Sequence, residues 1–498
     1  MGRTNSVVAA GHELTARAAA EILEDGGNAF DAALAGTFMA FVAEAVFCAP
    51  GGGGFLMARR AESDKAALFD FFVETPLKRR PESEISFYPI HADFGPAKQE
   101  FHIGLGSSAT PGAVQGLFAM HEALCTLPMK RLVEPAVRAG RDGFPLTSFQ
   151  AYLFTVIAPI LTASPGVAAI FAPGGKLLQA GQTFRNEGLS ETLAWLAEDG
   201  ARLFVDGDVG NAIVAQSEAL GGHLRYDDLK SYRAMLREPL YWKHAGATVA
   251  LNPPPAASGA LIAYGLAYLE AQGRVIDALA LKRAMDATNE ARAAHGERLA
   301  EHLASGLLAK KLRAAERHPQ AYRGTTHISV IDAAGNAAAI SLSNGEGNGH
   351  IVGNFGFMLN NMLGEEDLAR GHLDAWREGT RMSSMMAPTI ILAPDGSVTA
   401  LGTGGSNRIR TAILQVAVNL LDHGMDLEAA VVAPRLHVER DGRTSFEPGL
   451  ADFVQAEQTH AWPERNLFFG GVHAARRSGH GGVEGAGDPR RQGVALIV

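Results

Sequence analysis

Cysteine is nearly missing from this chain: Cys48 and Cys125 are the two in 498 residues. Two thiols cannot build a disulfide framework or a cysteine-based zinc site, and both read as small buried hydrophobes. Basic runs are missing as well. The net charge is −9, a balance that argues against nucleic acid as a partner. No stretch suits a bilayer: the most apolar one, residues 32–46, is too short and carries Glu44. The start has no apolar core of about 7–15 residues such as a secretory signal needs. Its Met1-Gly2-x-x-x-Ser6 fits the loose myristoylation pattern, but alanine and charged residues follow closely and speak against it. No membrane association and a cytoplasmic location are expected. None of the 17 histidines sits in a His-Glu-x-x-His or comparable pattern, so neither a metal nor a cofactor is expected. Internal repeats and low-complexity tracts are lacking too.

What remains is a globular composition, 47 % hydrophobic and 19 % charged, which rules out wholesale disorder. The length allows two to four domains or one large one. The 57 glycines demand many turns or close backbone approaches. Apolar positions at Leu14, Ala18, Ile22 and Leu23 have helical spacing. Gly26-Gly27 stops that helix, and Asn28 can cap a second one that runs to about Val46 and is apolar all round, hence buried on every side. Gly51-Gly52-Gly53-Gly54 follows, and Phe55-Leu56-Met57 enters a core at once. That placement suggests tight backbone packing where a flexible loop would be the plainer expectation. Residues 66–74 look like a strand, and 77–103 like an irregular charged excursion. Residues 110–143 read as helical with an interruption at Pro135, and 275–318 as helical. From Gly324 the character changes. Residues 327–331 and 337–343 predict one hairpin, and 389–393 and 397–401 a second. A helix-rich first two-thirds thus precedes a β-rich last third.

Three constellations could carry chemistry. Gly402-Thr403-Gly404-Gly405-Ser406 joins a strand to a helix from Ile409 to Leu421. Free backbone N–H groups at such a turn can hold an anion. No Gly-Lys-Ser/Thr ending makes it a phosphate loop, so an oxyanion or carboxylate site and a plain turn both fit. Thr325-Thr326-His327 suits a strand, with His327 an ordinary hydrogen-bonded side chain. Were Thr325 an N-terminus, its own amine, with a pKa of ~7.7–8.0, could take the hydroxyl proton. Ser383-Ser384 after Arg381 reads as a loop or cap.

Taken in order, these segments resemble the gamma-glutamyltranspeptidase family of N-terminal-nucleophile hydrolases. The resemblance runs nearly end to end. It covers His12-Glu13-Leu14-Thr15, Gly26 to Ala33, Gly51 to Phe55, Thr110-Pro111-Gly112, Glu134-Pro135 and Arg141-Asp142-Gly143. It continues through Asn252-Pro253-Pro254-Pro255, Ser258-Gly259, Thr325-Thr326-His327, Leu359-Asn360-Asn361, Ser383-Ser384-Met385, Pro388-Thr389, Gly404-Gly405-Ser406 and Gly487-Asp488-Pro489-Arg490. It implies an α+β fold, a four-layer αββα sandwich, self-processed between Gly324 and Thr325. A large subunit, 1–324, and a small one, 325–498, would stay associated as one intertwined domain. Thr325 would attack an amide carbonyl with its amine as base. Gly404 and Gly405 match the family's oxyanion donors, Ser343 the hydroxyl that bonds the nucleophile, and Ser383 and Ser384 the pair that holds a substrate carboxylate.

The departures concern the substrate. Where the family has an arginine for the α-carboxylate, this chain has Phe72, and a bidentate Arg–carboxylate pair has no apolar substitute. The family's asparagine two residues after the hydroxyl partner is Gly345, with Asn344 one position away. The amide after the Asn-Asn pair is Met362. The acid for the substrate ammonium aligns near Glu365, with Glu366 and Asp367 as alternatives. The segment 361–383 is short, so an open site is expected. A gamma-glutamyl amidohydrolase or acyl transferase would then need another cation, Arg408 or Arg410. A related acylase, of cephalosporin-acylase or oxamate-amidohydrolase type, would take another acyl group. An uncleaved, non-catalytic binding homologue is the third reading. The implied partners are a small-molecule amide and the chain's own cleaved half.

Overall fold

In the computed structural model, which describes residues 5–93, 98–273, 275–295, 299, 303, 324–364, 376–450 and 458–498, the N-terminal helices begin where their caps dictate. Helix α1 (Glu13–Glu24) starts after His12, whose ring accepts from the Leu14 amide at 3.1 Å. Helix α2 (Ala29–Ala43) starts after Asn28, in a capping box closed by Asp31. All of α2 is buried, as its unbroken apolar surface demands. It lies between α1, further helices and a β-sheet.

The glycine run leads into a strand. In β2 (Gly53–Arg59), paired with the later strand that ends at Ser343, Gly53 leaves no room for a side chain. A Cβ there would come 2.8 Å from the Phe71 carbonyl oxygen, and one on Gly52 would fall on the Ser343 carbonyl. Close backbone approach explains the glycines.

Two antiparallel sheets carry the fold. In chain order their strands are β1 (Val7–Ala10), β2, β3 (Ala67–Asp70), β4 (Met235–Arg237), β5 (Leu240–His244), β6 (Ala247–Leu251), β7 (Thr326–Ile331), β8 (Ala337–Ser343), β9 (Thr389–Leu392), β10 (Val398–Gly404), β11 (Gly471–Arg477), β12 (Val483–Ala486) and β13 (Val494–Ile497). The seven-stranded sheet has the order β13-β1-β7-β8-β2-β3-β4, and the six-stranded one β12-β11-β10-β9-β6-β5. Both sheets mix strands from before and after Gly324.

Helices α1 and α2 cover the outer face of the first sheet. Helices α3 (Ser258–Gln272) and α4 (Ile409–Leu421) cover the second. The layers are therefore α, β, β, α. Alternation along β7 and β8 sorts the two cores. Ile328, Val330, Ile340 and Leu342 pack with α2, whereas Ile331, Ala337 and Ala339 face the second sheet.

Four expectations change. Residues 77–103 are not irregular throughout, because Tyr88–Asp93 and Lys98–Ile103 pair as an antiparallel hairpin. Pro135 does not break its helix, which runs through it from Met129 to Asp142. One lost hydrogen bond is offset there by burying Leu132, Val133 and Ala136. The predicted 275–318 helix is seen as Ala278–His295, and most of the remainder lies outside the described residues. Finally, Gly402 to Gly404 are strand, and the turn is confined to Gly405, at φ +135°, and Ser406, at φ +56°. Among the described residues no helix is long and apolar enough to cross a membrane.

Candidate active site

Thr325 stands one residue before β7, buried, and the β7–β8 register sets it across from Ser343. The end of β10 closes on it from the second sheet. A Cβ on Gly404 would fall on the Thr325 carbonyl oxygen, so only glycine permits this contact.

Successive polar groups of the backbone here are each held by a different side chain. The Ser343 hydroxyl donates to the Gly324 carbonyl oxygen at 2.7 Å and accepts from the Gly345 amide at 3.2 Å. The Gly324 amide donates to Glu346 Oε1 at 3.2 Å. Arg491 Nη1 donates to the Thr325 carbonyl oxygen at 3.0 Å. The Gly324–Thr325 peptide is thereby immobilised from both sides, its carbonyl polarised by a hydroxyl.

Local sequence explains how these groups arrive. Gly345 and Gly347, at φ +61° and +92°, let the chain turn after β8 and aim Glu346 inward. Asn361 fixes Glu346, accepting from its amide at 2.9 Å and donating to Oε2 at 3.5 Å. Gly471 leaves space for the Arg491 stem, and the guanidinium lies 5.3 Å from the Phe47 ring centroid. Burial lowers the Arg491 pKa to about 10, although Asp488 and Glu44 oppose the shift. It is a cation at neutral pH. Asp488 holds this segment, accepting from Arg435 at 2.7 Å and from the Val472 amide at 3.0 Å. Glu44 accepts from Thr15 at 2.7 Å and from Thr326 at 2.6 Å, tying α2 to the head of β7.

Beside this peptide lies a pocket whose open space, solvent-facing mouth included, is about 490 Å³. Gly324, Glu346, Gly405 and Arg491 line it, with apolar walls that include Phe47, Val156, Ile157, Leu467 and Phe468.

The structure thus brings together Gly324, Thr325, Ser343, Gly404 and Gly405. Other predicted residues lie elsewhere. Phe72 is 1 % exposed and stacks on Phe55 with ring centroids 5.5 Å apart. Met362 is buried in the same core. Both fill that core and neither lines the cavity at Gly324. Asn344 donates to the Met358 carbonyl at 3.3 Å. Ser384 is buried, accepting from the Met386 amide at 3.1 Å, and Ser383 is half-buried beside it. The neighbouring Arg381 binds Asp70 at 2.7 Å and Glu74 at 2.9 Å. Arg410 is committed to Thr288 and Asn289 at 2.8 and 2.7 Å, and Arg408 lies over the Phe468 ring. Arg491, not Arg408 or Arg410, is the cation bonded at Thr325. Glu365, Glu366 and Asp367 lie outside the described residues. His327 bonds Ser341 and Ser329 at 2.8 and 2.9 Å, and burial pushes its pKa well down, so it is neutral. Sequence reasoning missed Arg491 and Glu346. The signals were the Asp488-Pro489-Arg490 segment, one residue short, and glycines on both sides of a lone acid.

The family model described as Gamma-glutamyltranspeptidase matches residues 15–498. The Acylase ACY 1 proenzyme of Pseudomonas sp. (strain SE83) is 29 % identical over 99 % of this chain and 94 % of its own length. The glutathione hydrolase proenzyme of Escherichia coli (strain K12) is 28 % identical over 94 % of this chain and 88 % of its own. The crystal structure of cephalosporin acylase from Bacillus halodurans superposes with a TM-score of 0.84 at 22 % identity. It covers 99 % of this chain and 96 % of that one, a likeness of fold.

Proposed function

This chain belongs to the gamma-glutamyltranspeptidase family, and on that premise we propose that it is a precursor that cuts itself before Thr325 and then acts as an amidohydrolase or acyl transferase on a gamma-glutamyl or related amide. The observation that carries this reading is the 2.7 Å bond from Ser343 to the carbonyl of the Gly324–Thr325 peptide.

In maturation the Thr325 hydroxyl oxygen bonds to the Gly324 carbonyl carbon. The peptide C–N bond breaks, and its nitrogen takes the hydroxyl proton and becomes a free amine. Water then splits the ester, leaving a carboxylate at Gly324. In turnover the same amine accepts the hydroxyl proton as Thr325 attacks an amide, and passes it to the departing amine. Water or a second amine releases the acyl group. The backbone N–H groups of Gly404 and Gly405 are assigned to the developing oxyanion. The two products, 1–324 and 325–498, remain one folded unit.

The glutathione hydrolase and acylase names of the relatives set two acyl classes side by side. The apolar cavity walls and the burial of Phe72 in the core favour an acyl group other than gamma-glutamyl. Denaturing mass spectrometry of the purified protein tests the premise. Two fragments meeting at Gly324/Thr325, and one uncut chain for Thr325→Ala, are expected. An uncut wild-type chain would support the non-catalytic binding homologue.

A further inference from the structure

The ester formed in maturation is itself an acyl-enzyme. Its acyl group is the chain ending at Gly324, joined to the oxygen that later carries substrate. The groups around Gly324 describe that acyl unit as it stands before the cut, with its carbonyl oxygen on Ser343. Two features define that unit. Its nitrogen, on the carbon next to the reacting carbonyl, donates to Glu346 at 3.2 Å. That same carbon has no space for a side chain, because a Cβ would come 2.6 Å from the Gly345 oxygen and 2.7 Å from the Val46 oxygen. Both obstacles are backbone, so neither yields cheaply.

From this geometry we infer that the mature site selects glycyl amides: acyl donors with an N–H on an unbranched α-carbon, recognised by Glu346. A gamma-glutamyl group does not reproduce this pattern, since its amine sits three carbons from the reacting carbonyl. Glu346 is held for the task by Asn361 and lines the same cavity as Gly324. The covalent step is the acyl transfer given above: the Thr325 ester forms, the amide C–N bond breaks, and the departing nitrogen takes the proton. The inference rests on the Thr325 reading and adds the substrate class.

The experiment uses cleaved wild-type protein and five p-nitroanilides: glycyl, N-acetylglycyl, propionyl, L-alanyl and gamma-glutamyl. Propionyl matches glycyl in size and lacks the N–H. Glycyl or N-acetylglycyl should exceed propionyl in kcat/KM by about 10- to 100-fold, the range for a hydrogen bond to a charged group. L-Alanyl should fall below glycyl. In Glu346→Gln, which keeps an acceptor of the same shape, a selective loss on glycyl identifies a free ammonium as the ligand, and retained N-acetylglycyl turnover identifies an acylated nitrogen. Glu346→Leu, if it matures, should bring the glycyl-to-propionyl ratio to about one. Equal turnover of propionyl and glycyl, or turnover of gamma-glutamyl alone, overturns the inference and leaves Thr325 catalysis standing. A cleaved protein inert to both glycyl compounds overturns it as well. An uncut chain overturns both.

Discussion

Ser343→Ala removes one hydroxyl, and the structure says what that hydroxyl does. It donates at 2.7 Å to the Gly324 carbonyl oxygen, the atom that becomes negative in the proposed attack by Thr325. Loss of a donor aimed at a developing oxyanion typically raises the barrier by ~2.7–4 kcal/mol, or about 10²–10³ in rate. The ground state suffers less. The Gly345 amide loses its acceptor, and one unsatisfied buried group destabilises by about 1–3 kcal/mol against a typical total of about 5–15. The variant should therefore fold and process slowly. Processing is followed by denaturing mass spectrometry of samples quenched at intervals, beside circular dichroism to check folding. Ser343→Thr keeps the hydroxyl and should recover most of the rate, less what an extra methyl in a buried site takes. A folded Ser343→Ala protein that cuts itself within about threefold of wild type would refute the assignment, since a direct donor effect cannot be that small.

Three further outcomes are expected. Gly404→Ala places its Cβ on the Thr325 carbonyl, so processing should stop and the melting temperature fall; normal maturation would mean that the two sheets separate more easily than close packing allows. Phe72→Arg buries a guanidinium against Phe55 in an apolar core. It should destabilise the protein by several kcal/mol without creating gamma-glutamyl turnover, and a stable variant that gains that activity would show that position 72 faces substrate. Stability should drop as pH falls from about 6.5 to about 4. Burial lowers His473 to about 4, so across that window the unfolded chain binds the extra proton. The contribution is on the order of 3 kcal/mol. His473→Gln, which cannot titrate, should show a shallower acid slope in thermal melts; an unchanged slope would deny His473 the role.

Local signals in the sequence were sufficient for several elements. Asn28 with Asp31 announces α2, and fifteen buried positions follow from its unbroken apolar character. Period-two alternation across a Gly-Asn turn announces β7 and β8. The glycine run was legible as close packing because apolar residues follow it at once. Pro135 misled because burial of one helix face outweighs one missing hydrogen bond, which no local rule weighs. The hairpin of residues 88–103 carries charge on both strands and lacks a clean alternation. At the site, Thr325, Ser343, Gly404 and Gly405 were readable through resemblance. Arg491 and Glu346 were not. They reach Thr325 and Gly324 from 166 and 22 residues away, a proximity made by the sheet pairing. Phe72 shows the converse: its position along the chain suggested a substrate contact, and its packing on Phe55 places it in the core.

The mixed parentage of the sheets has a consequence for the life of the mature protein. In the first sheet β1 lies between β13 and β7, and β2 pairs with β8, so strands from the two products of the proposed cut at Gly324 interleave. Before the cut, a chain that opens can close again by itself, because covalent linkage keeps its halves at an effective concentration of roughly millimolar. Afterwards, reassembly becomes a second-order encounter between two partners, neither of which holds a complete sheet. Cleavage thus works as a ratchet. Folding precedes it, and unfolding after it is effectively one-way at the dilution of a cell or an assay. The working lifetime of the cut protein is then set by how slowly the interleaved strands part, and any selection for durability acts on that rate.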